Sequence, residues 1–176
     1  MNADDPAVLR RALHQLSELL VDIRPESLSD PTPCAEWTVQ DLVDHIVAAP
    51  EKFAAMVRDQ PIDWSAPTPP SGSDPAAAFG SNADDLLRAW GQHDGSAGPA
   101  GIDWQCAEFA VHAWDLATAL HRSAGELDPE VAERGLAFMQ DNLTADNRGT
   151  AFGPAQAPPQ GADAYQRIAA FAGRLV

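Results

Sequence analysis

Apolar residues recur along this chain every three or four positions, the spacing of a helix face, and no segment shows the sustained alternation of a half-buried strand. Leu9, Leu13, Leu16, Leu20 and Ile23 mark a first helix over residues 5–23, introduced by Asp4-Asp5-Pro6, where proline suits a first helical position. Pro31-Thr-Pro-Cys-Ala-Glu-Trp37 is a proline-punctuated connection. Thr38 with Asp41 three residues on resembles a capping box with Asp in place of Glu, and it opens a second helix that places Leu42, Ile46, Phe53 and Val57 on one side. Pro50 falls inside that pattern, where it removes a backbone donor and collides with the preceding turn. It predicts a kink or an early stop near Ala49, with Glu51 to Arg58 changing direction.

Residues 61–75 contain five prolines and read as a loop long enough for a crossover along the length of a bundle. Asp74-Pro75 starts a third helix carrying Phe79, Ala83, Leu86, Leu87 and Trp90. A glycine-rich link from Gly91 to Gly101 leads to Asp103, the expected N-cap of a fourth helix running to about Arg122. Asp128-Pro129 opens a fifth helix with Val131, Gly135, Phe138 and Met139 on one face, and Asp163 a last one through Tyr165, Ile168 and Phe171. There is no repeat at a fixed period. The expectation is a single all-α domain over residues 1–176: four helices and a long crossover between the second and third, with additional C-terminal helices.

Composition narrows the function. A formal charge of −15 makes a phosphate backbone or an anionic membrane surface a repulsive partner, which argues against nucleic-acid binding. No apolar run approaches the roughly 18 residues of a membrane span, and the N-terminus lacks the basic and apolar regions of a signal peptide, so a cytoplasmic protein is expected. Ten arginines stand against a single lysine, Lys52, a bias of GC-rich genomes. The two cysteines, Cys34 and Cys106, form no Cys-x-x-Cys pair and read as reduced thiols with no partner that would make either a nucleophile.

Three residues carry candidate chemistry. Glu108 and His112 stand one helical turn apart, so a carboxylate and an imidazole project from one face of the fourth helix. His45 lies three residues after Leu42 and four before Ala49, on the apolar side of the second helix. One imidazole from each helix plus the carboxylate would supply three metal ligands and leave positions open, the pattern of a catalytic rather than a closed structural site. The plain alternatives are a hydrogen-bonded core histidine at 45 and an exposed Glu-His pair at 108 and 112. The stripe Trp104, Glu108, His112, Asp115, Ala119 is too polar for ordinary core and too aromatic for an ordinary solvated face. His14, His93 and His121 read as surface residues. Asp41 and Asp115, each about a turn from a candidate histidine, could accept its second N–H, with helix capping as the alternative role of Asp41. Trp37 and Trp104 could wall a pocket or serve as plain packing.

The stretches Thr32-Pro-Cys-Ala-Glu-Trp-Thr-Val-Gln-Asp-Leu-Val-Asp-His45 and Glu108-Phe-Ala-Val-His-Ala-Trp-Asp-Leu116 resemble the two signature segments of the mycothiol-dependent maleylpyruvate isomerase family, in its metal-binding N-terminal domain. Arg148-Gly-Thr-Ala-Phe-Gly153 and the tail Tyr165-Gln-Arg-Ile-Ala-Ala-Phe-Ala-Gly-Arg174 resemble its C-terminal pattern. The resemblance implies a DinB/YfiT-like four-helix metalloprotein in which His45, Glu108 and His112 bind a divalent metal, usually zinc, with nickel or iron as alternatives. It also implies a small-molecule substrate and mycothiol, the low-molecular-weight thiol of actinobacteria, as cosubstrate and nucleophile. A metal with two neutral imidazoles and one carboxylate retains positive charge and can deprotonate an incoming thiol near neutral pH. Monomer and homodimer both remain open.

Two departures direct the expected reaction away from maleylpyruvate isomerisation. The link between Trp90 and Glu108 is short and glycine-rich where many relatives carry a longer segment, and the isomerase has a second, C-terminal domain that these 176 residues do not include. A thiol transferase or isomerase acting on another small electrophile is the favoured expectation. The alternatives are a hydrolase, lyase or tailoring enzyme using metal-activated water, and a non-catalytic ligand-binding or stress protein on the same fold.

Overall fold

The structure, a computed structural model, describes residues 6–93, 101–149 and 152–176. The described residues form six α-helices and no strand: α1 Pro6–Val21, α2 Val39–Val57, α3 Pro75–Gln92, α4 Ile102–Ala119, α5 Pro129–Asn142 and α6 Ala164–Phe171. The fold is all-α, as the periodicity predicts. Among the described residues no helix is long and apolar enough to cross a membrane. The Asp4-Asp5 pair expected to introduce α1 and residues 94–100 of the glycine-rich link lie outside the described residues.

Caps fix where the helices begin. Thr38 and Asp41 form the capping box of α2, and Asp163 with Gln166 forms that of α6. Asp74 and Asp128 accept hydrogen bonds from Ala77 and Glu130 at the starts of α3 and α5, each followed by proline at the first helical position. Asp103 does not cap α4. Gly101 holds that position, and Asp103, inside the first turn, instead accepts a 2.5 Å hydrogen bond from Arg134 of α5. Three helix ends are followed by left-handed residues, Asp59 after α2, His121 after α4 and Gly173 after α6. At the end of α4, His121 has φ 54°, its N–H donates to Thr118 and that of Arg122 to Ala117, the paired bonds of a Schellman motif.

The second helix corrects the early stop expected at Pro50: it continues through the proline to Val57. Asn82 of α3 donates its side-chain amide to the Val47 carbonyl at 2.8 Å, satisfying an acceptor in the turn that the proline ring disturbs. Val47, Ala48, Ala49, Pro50 and Phe53 are all buried, so packing holds a helix that local propensity would break.

α4 is the central element, with thirteen of its eighteen residues buried. It packs on α1, α2, α5 and α6, while α2 packs chiefly on α3. The crossover sets the direction of α3. Ser71, just before α3, bonds to Asp44 near the start of α2, and Arg58 just past the end of α2 pairs with Asp85 in the second half of α3. The loop therefore returns the chain along α2, so that α3 runs parallel to it.

Buried polar groups are paired across helices. Gln15 of α1 bonds to the Tyr165 hydroxyl of α6 and accepts from the Asp128 amide at the start of α5, and Gln105 accepts from the Trp90 indole at 3.1 Å. His93, expected at the surface, is instead half-buried, its ring edge-on to Trp90 at 5.5 Å.

The α4–α5 contact depends on Gly135. A Cβ there would lie 2.7 Å from the Ala107 Cα and 2.8 Å from its nitrogen, backbone atoms that cannot swing aside. Gly135→Ala should force the helices apart, destabilising the protein by about 2 kcal/mol and lowering the melting temperature by roughly 4–8 °C. Thermal unfolding of the purified variant measures this. An unchanged melting temperature would show that the helices separate without cost.

Candidate metal centre

The approach to the site is built by the loop before α2. Thr32 donates its amide and its hydroxyl to the Trp37 carbonyl, at 3.1 and 3.0 Å, and Pro31 bridges to Thr38. Glu36 takes φ 67°, turning the chain so that Trp37 faces inward. Its ring lies 4.9 Å from that of His45 and stacks on His112 at 6.0 Å with 20° between planes. Asp41, exposed, accepts the Thr38 amide at 2.9 Å and hydroxyl at 2.6 Å. Those bonds hold its carboxyl below the usual range and commit it to the cap, so Asp41 does not orient His45.

His45, Glu108 and His112 meet at the α2–α4 contact, one ligand atom of each lying within 4.8 Å of the others. Glu108 Oε1 is 2.6 Å from His45 Nε2 and 3.5 Å from His112 Nε2. On the far side of the ring, His112 Nδ1 is 3.2 Å from Asp115 Oδ2. A carboxylate only accepts, so the ring donates Nδ1–H there and directs Nε2 at Glu108. Two ring nitrogens and a carboxylate oxygen thus converge on one point, which requires positive charge between them, from protons or from a cation.

Without a metal the charge comes from protons. Burial opposes ionisation of Glu108, but His112 and His45 overcome it and hold its carboxyl well below the usual range. Burial likewise opposes a charged His112, yet Glu108 and Asp115 raise it to about 9. The donor set also suits a divalent ion: ligand bonds of about 2 Å place ligand atoms roughly 3 Å apart, and the observed 2.6 and 3.5 Å bracket that separation.

Behind the triad stands a residue not singled out in the sequence. Arg174, two positions before the last residue of the sequence, donates Nε to Asp115 Oδ1 and Nη2 to Asp115 Oδ2, both at 3.0 Å. Asp115 is fully buried and Arg174 nearly so. Gly173 makes this reach possible: its φ is +89°, and a Cβ would lie 2.6 Å from Gly153 backbone atoms. No helical periodicity signals Arg174, because it follows the last helix.

A cleft of about 920 Å³ opens over the triad. Trp104 forms part of its wall, edge-on to Phe53 at 5.5 Å and 5.8 Å from Trp64 of the crossover loop. Trp64 also escapes sequence reasoning, since it lies in a proline-rich stretch with no period. Lys52 sits 5.9 Å from the Trp64 ring. Cys34 lines the same cleft, but burial pushes its thiol up to about 11, and burial pushes Cys106 up to about 12. Neither is a thiolate at neutral pH.

The sequence profile of the Mycothiol maleylpyruvate isomerase N-terminal domain matches residues 9–117. The chain belongs to this family. Two uncharacterized proteins, from two strains of Mycobacterium tuberculosis, are each 31% identical to it over 95% of this chain and 96% of their own length. No solved structure matches. The family segment includes the triad and Asp115, whereas Arg174 lies beyond it.

Arg174→Met leaves the Asp115 carboxylate buried without its guanidinium and should cost about 3–5 kcal/mol in denaturant unfolding. Adding Asp115→Asn should recover much of that loss. A double variant as unstable as the single one would show that Arg174 acts through packing alone.

In protein stripped of metal, His112 has a folded-state pKa raised above its ordinary 6.5. Its stabilising contribution is therefore fully present below about pH 6.5 and is lost as pH rises through about 9. Melting temperature should fall across that window, and His112→Gln should flatten the fall. An equal decline in the variant would assign the titration elsewhere.

Proposed function

We propose that this protein is a metal-dependent enzyme of the thiol transferase or isomerase type. In this reading His45, Glu108 and His112 hold one divalent ion, zinc foremost, and a low-molecular-weight thiol such as mycothiol attacks a small electrophilic substrate. The observation that carries the reading is the convergence of two imidazole nitrogens and a carboxylate oxygen beneath a cleft whose own thiol is held protonated. In this reading the nucleophile is a thiol from outside the chain. Family membership supports the same chemistry.

When bound, the ion supplies positive charge that lowers the pKa of an incoming thiol. The surrounding residues prepare for it. Asp115 accepts Nδ1–H of His112 and fixes the tautomer that turns the Nε2 lone pair toward the ion. Arg174 keeps Asp115 in place. Glu108, the sole anionic member of the triad, sets the residual charge at the centre. Trp37, Phe53 and Trp104 exclude water from one side, and Lys52 and Arg174 place cations along the cleft of an otherwise acidic protein.

The purified protein should carry about one equivalent of zinc, nickel or iron, and His112→Ala should lose most of it. Glu108→Gln, nearly isosteric, should remain folded and weaken metal binding by at least about 10-fold. Elemental analysis of tag-free protein reads both effects. Equal metal content in the wild type and in a variant with His45, Glu108 and His112 all replaced by alanine would remove the proposal. In the cobalt-substituted protein, mycothiol should add a sulfur-to-metal charge-transfer band. No spectral change at saturating thiol, with substrate still converted in thiol-free buffer, would point to water as the nucleophile.

A further inference from the structure

A second space borders the centre and differs in character from the cleft. Between α4 and α5 lies a chamber of about 180 Å³, walled by Trp104, Val111, Phe138, Met139, Leu143 and Phe152, with Glu108 and His112 also in its lining. Trp104, Glu108, His112 and Phe152 border both spaces, so two of the three triad residues line the chamber as well as the cleft. Apart from Glu108 and His112, Asn142 is the polar lining residue, and its side-chain amide is already bonded to the Phe138 carbonyl of its own helix at 2.9 Å. The cleft, by contrast, carries Lys52, Arg174 and Glu36.

We propose that this chamber is the substrate-recognition site for an uncharged, compact apolar group the size of one benzene ring, which it seats beside Glu108 and His112. The assignment to substrate rests on the metal-enzyme reading above, whereas the binding of the apolar group does not depend on a metal. Size and chemistry both lead to this class. An apolar cavity of about 150 Å³ is known to take up benzene, so about 180 Å³ accommodates a single ring or a short branched chain. A charged substituent would lose its hydration among apolar walls, and the ionisable lining residues Glu108 and His112 are already paired with each other and with Asp115, so the cost is several kcal/mol in comparable settings. The polar cosubstrate is thereby directed to the cleft, and the electrophile's apolar body to the chamber. Phe138, Met139, Leu143 and Phe152 come from beyond the family segment at residues 9–117, so the selectivity is built by the C-terminal part of this chain.

The test is toluene binding to the full chain, read on the Met139 methyl group by carbon-13 methyl NMR, with the resonance assigned by Met139→Leu. Toluene should shift this resonance saturably, both with metal and after chelation. Benzoate and benzylammonium, which carry the ring with charges of opposite sign, should bind at least about 10-fold more weakly. Leu143→Trp, at a half-buried position past the end of α5, should fill the chamber and abolish the shift without lowering the melting temperature; Phe138→Trp provides a second filling variant. No toluene shift in the wild type would overturn the proposal. So would equal binding of the charged rings, or a shift that survives in folded filled variants. Loss of the metal reading would leave the toluene result standing, and a failed toluene result would leave metal binding untouched, so the two failures can be told apart.

Discussion

The bidentate pair between Asp115 and Arg174 is the interaction on which the centre rests. A fully buried carboxylate is costly unless it is both paired and hydrogen-bonded. Asp115 achieves this with a guanidinium on one side and the His112 ring on the other. A line of alternating charges thus runs from the C-terminal tail to Glu108 of α4, whose carboxylate lies 2.6 Å from His45 Nε2 of α2. Each member is tolerable because of its neighbours. The orientation of His112 is consequently a property of the whole chain rather than of one helix.

Two backbone features give that line its geometry. Gly135 lets α5 approach the α4 backbone, and Gly173, left-handed and pressed against Gly153, turns the tail back over α4 to deliver Arg174. Neither glycine carries chemistry, yet both place groups that do. The same close approach of α5 shapes the apolar chamber, while the crossover loop brings Trp64 over the cleft. Two spaces therefore border Glu108 and His112, a cleft that carries Lys52 and Arg174 and a smaller chamber walled chiefly by apolar side chains.

Much of this was legible in the sequence because it depends on local spacing. Helical periodicity and the caps at Thr38, Asp74, Asp128 and Asp163 are short-range, and they predict the elements found. The four-residue separation of Glu108 and His112 is likewise a local fact, which places both side chains on one helix face. Pro50 misleads for the complementary reason: the donor to the Val47 carbonyl comes from Asn82, thirty-five positions away, and burial of the flanking residues is set by other helices. The short-range signal at Asp103 also gave way, since Arg134 of α5 engages that carboxylate.

By itself, then, the sequence determined an all-helical chain, its helix starts, and a carboxylate and two imidazoles of the right chemistry, since these follow from residue type and separations of a few positions. Only the tertiary structure decided that His45 stands 2.6 Å from Glu108 across sixty-three residues, that Asp115 rather than Asp41 orients a histidine, and that Arg174 holds it. It also decided that Trp64 and Phe152 wall the openings. These are contacts between elements whose separation in sequence carries no periodic signal. They are fixed when burial of apolar faces and pairing of buried charge are satisfied together, a condition on the folded whole that no local window contains.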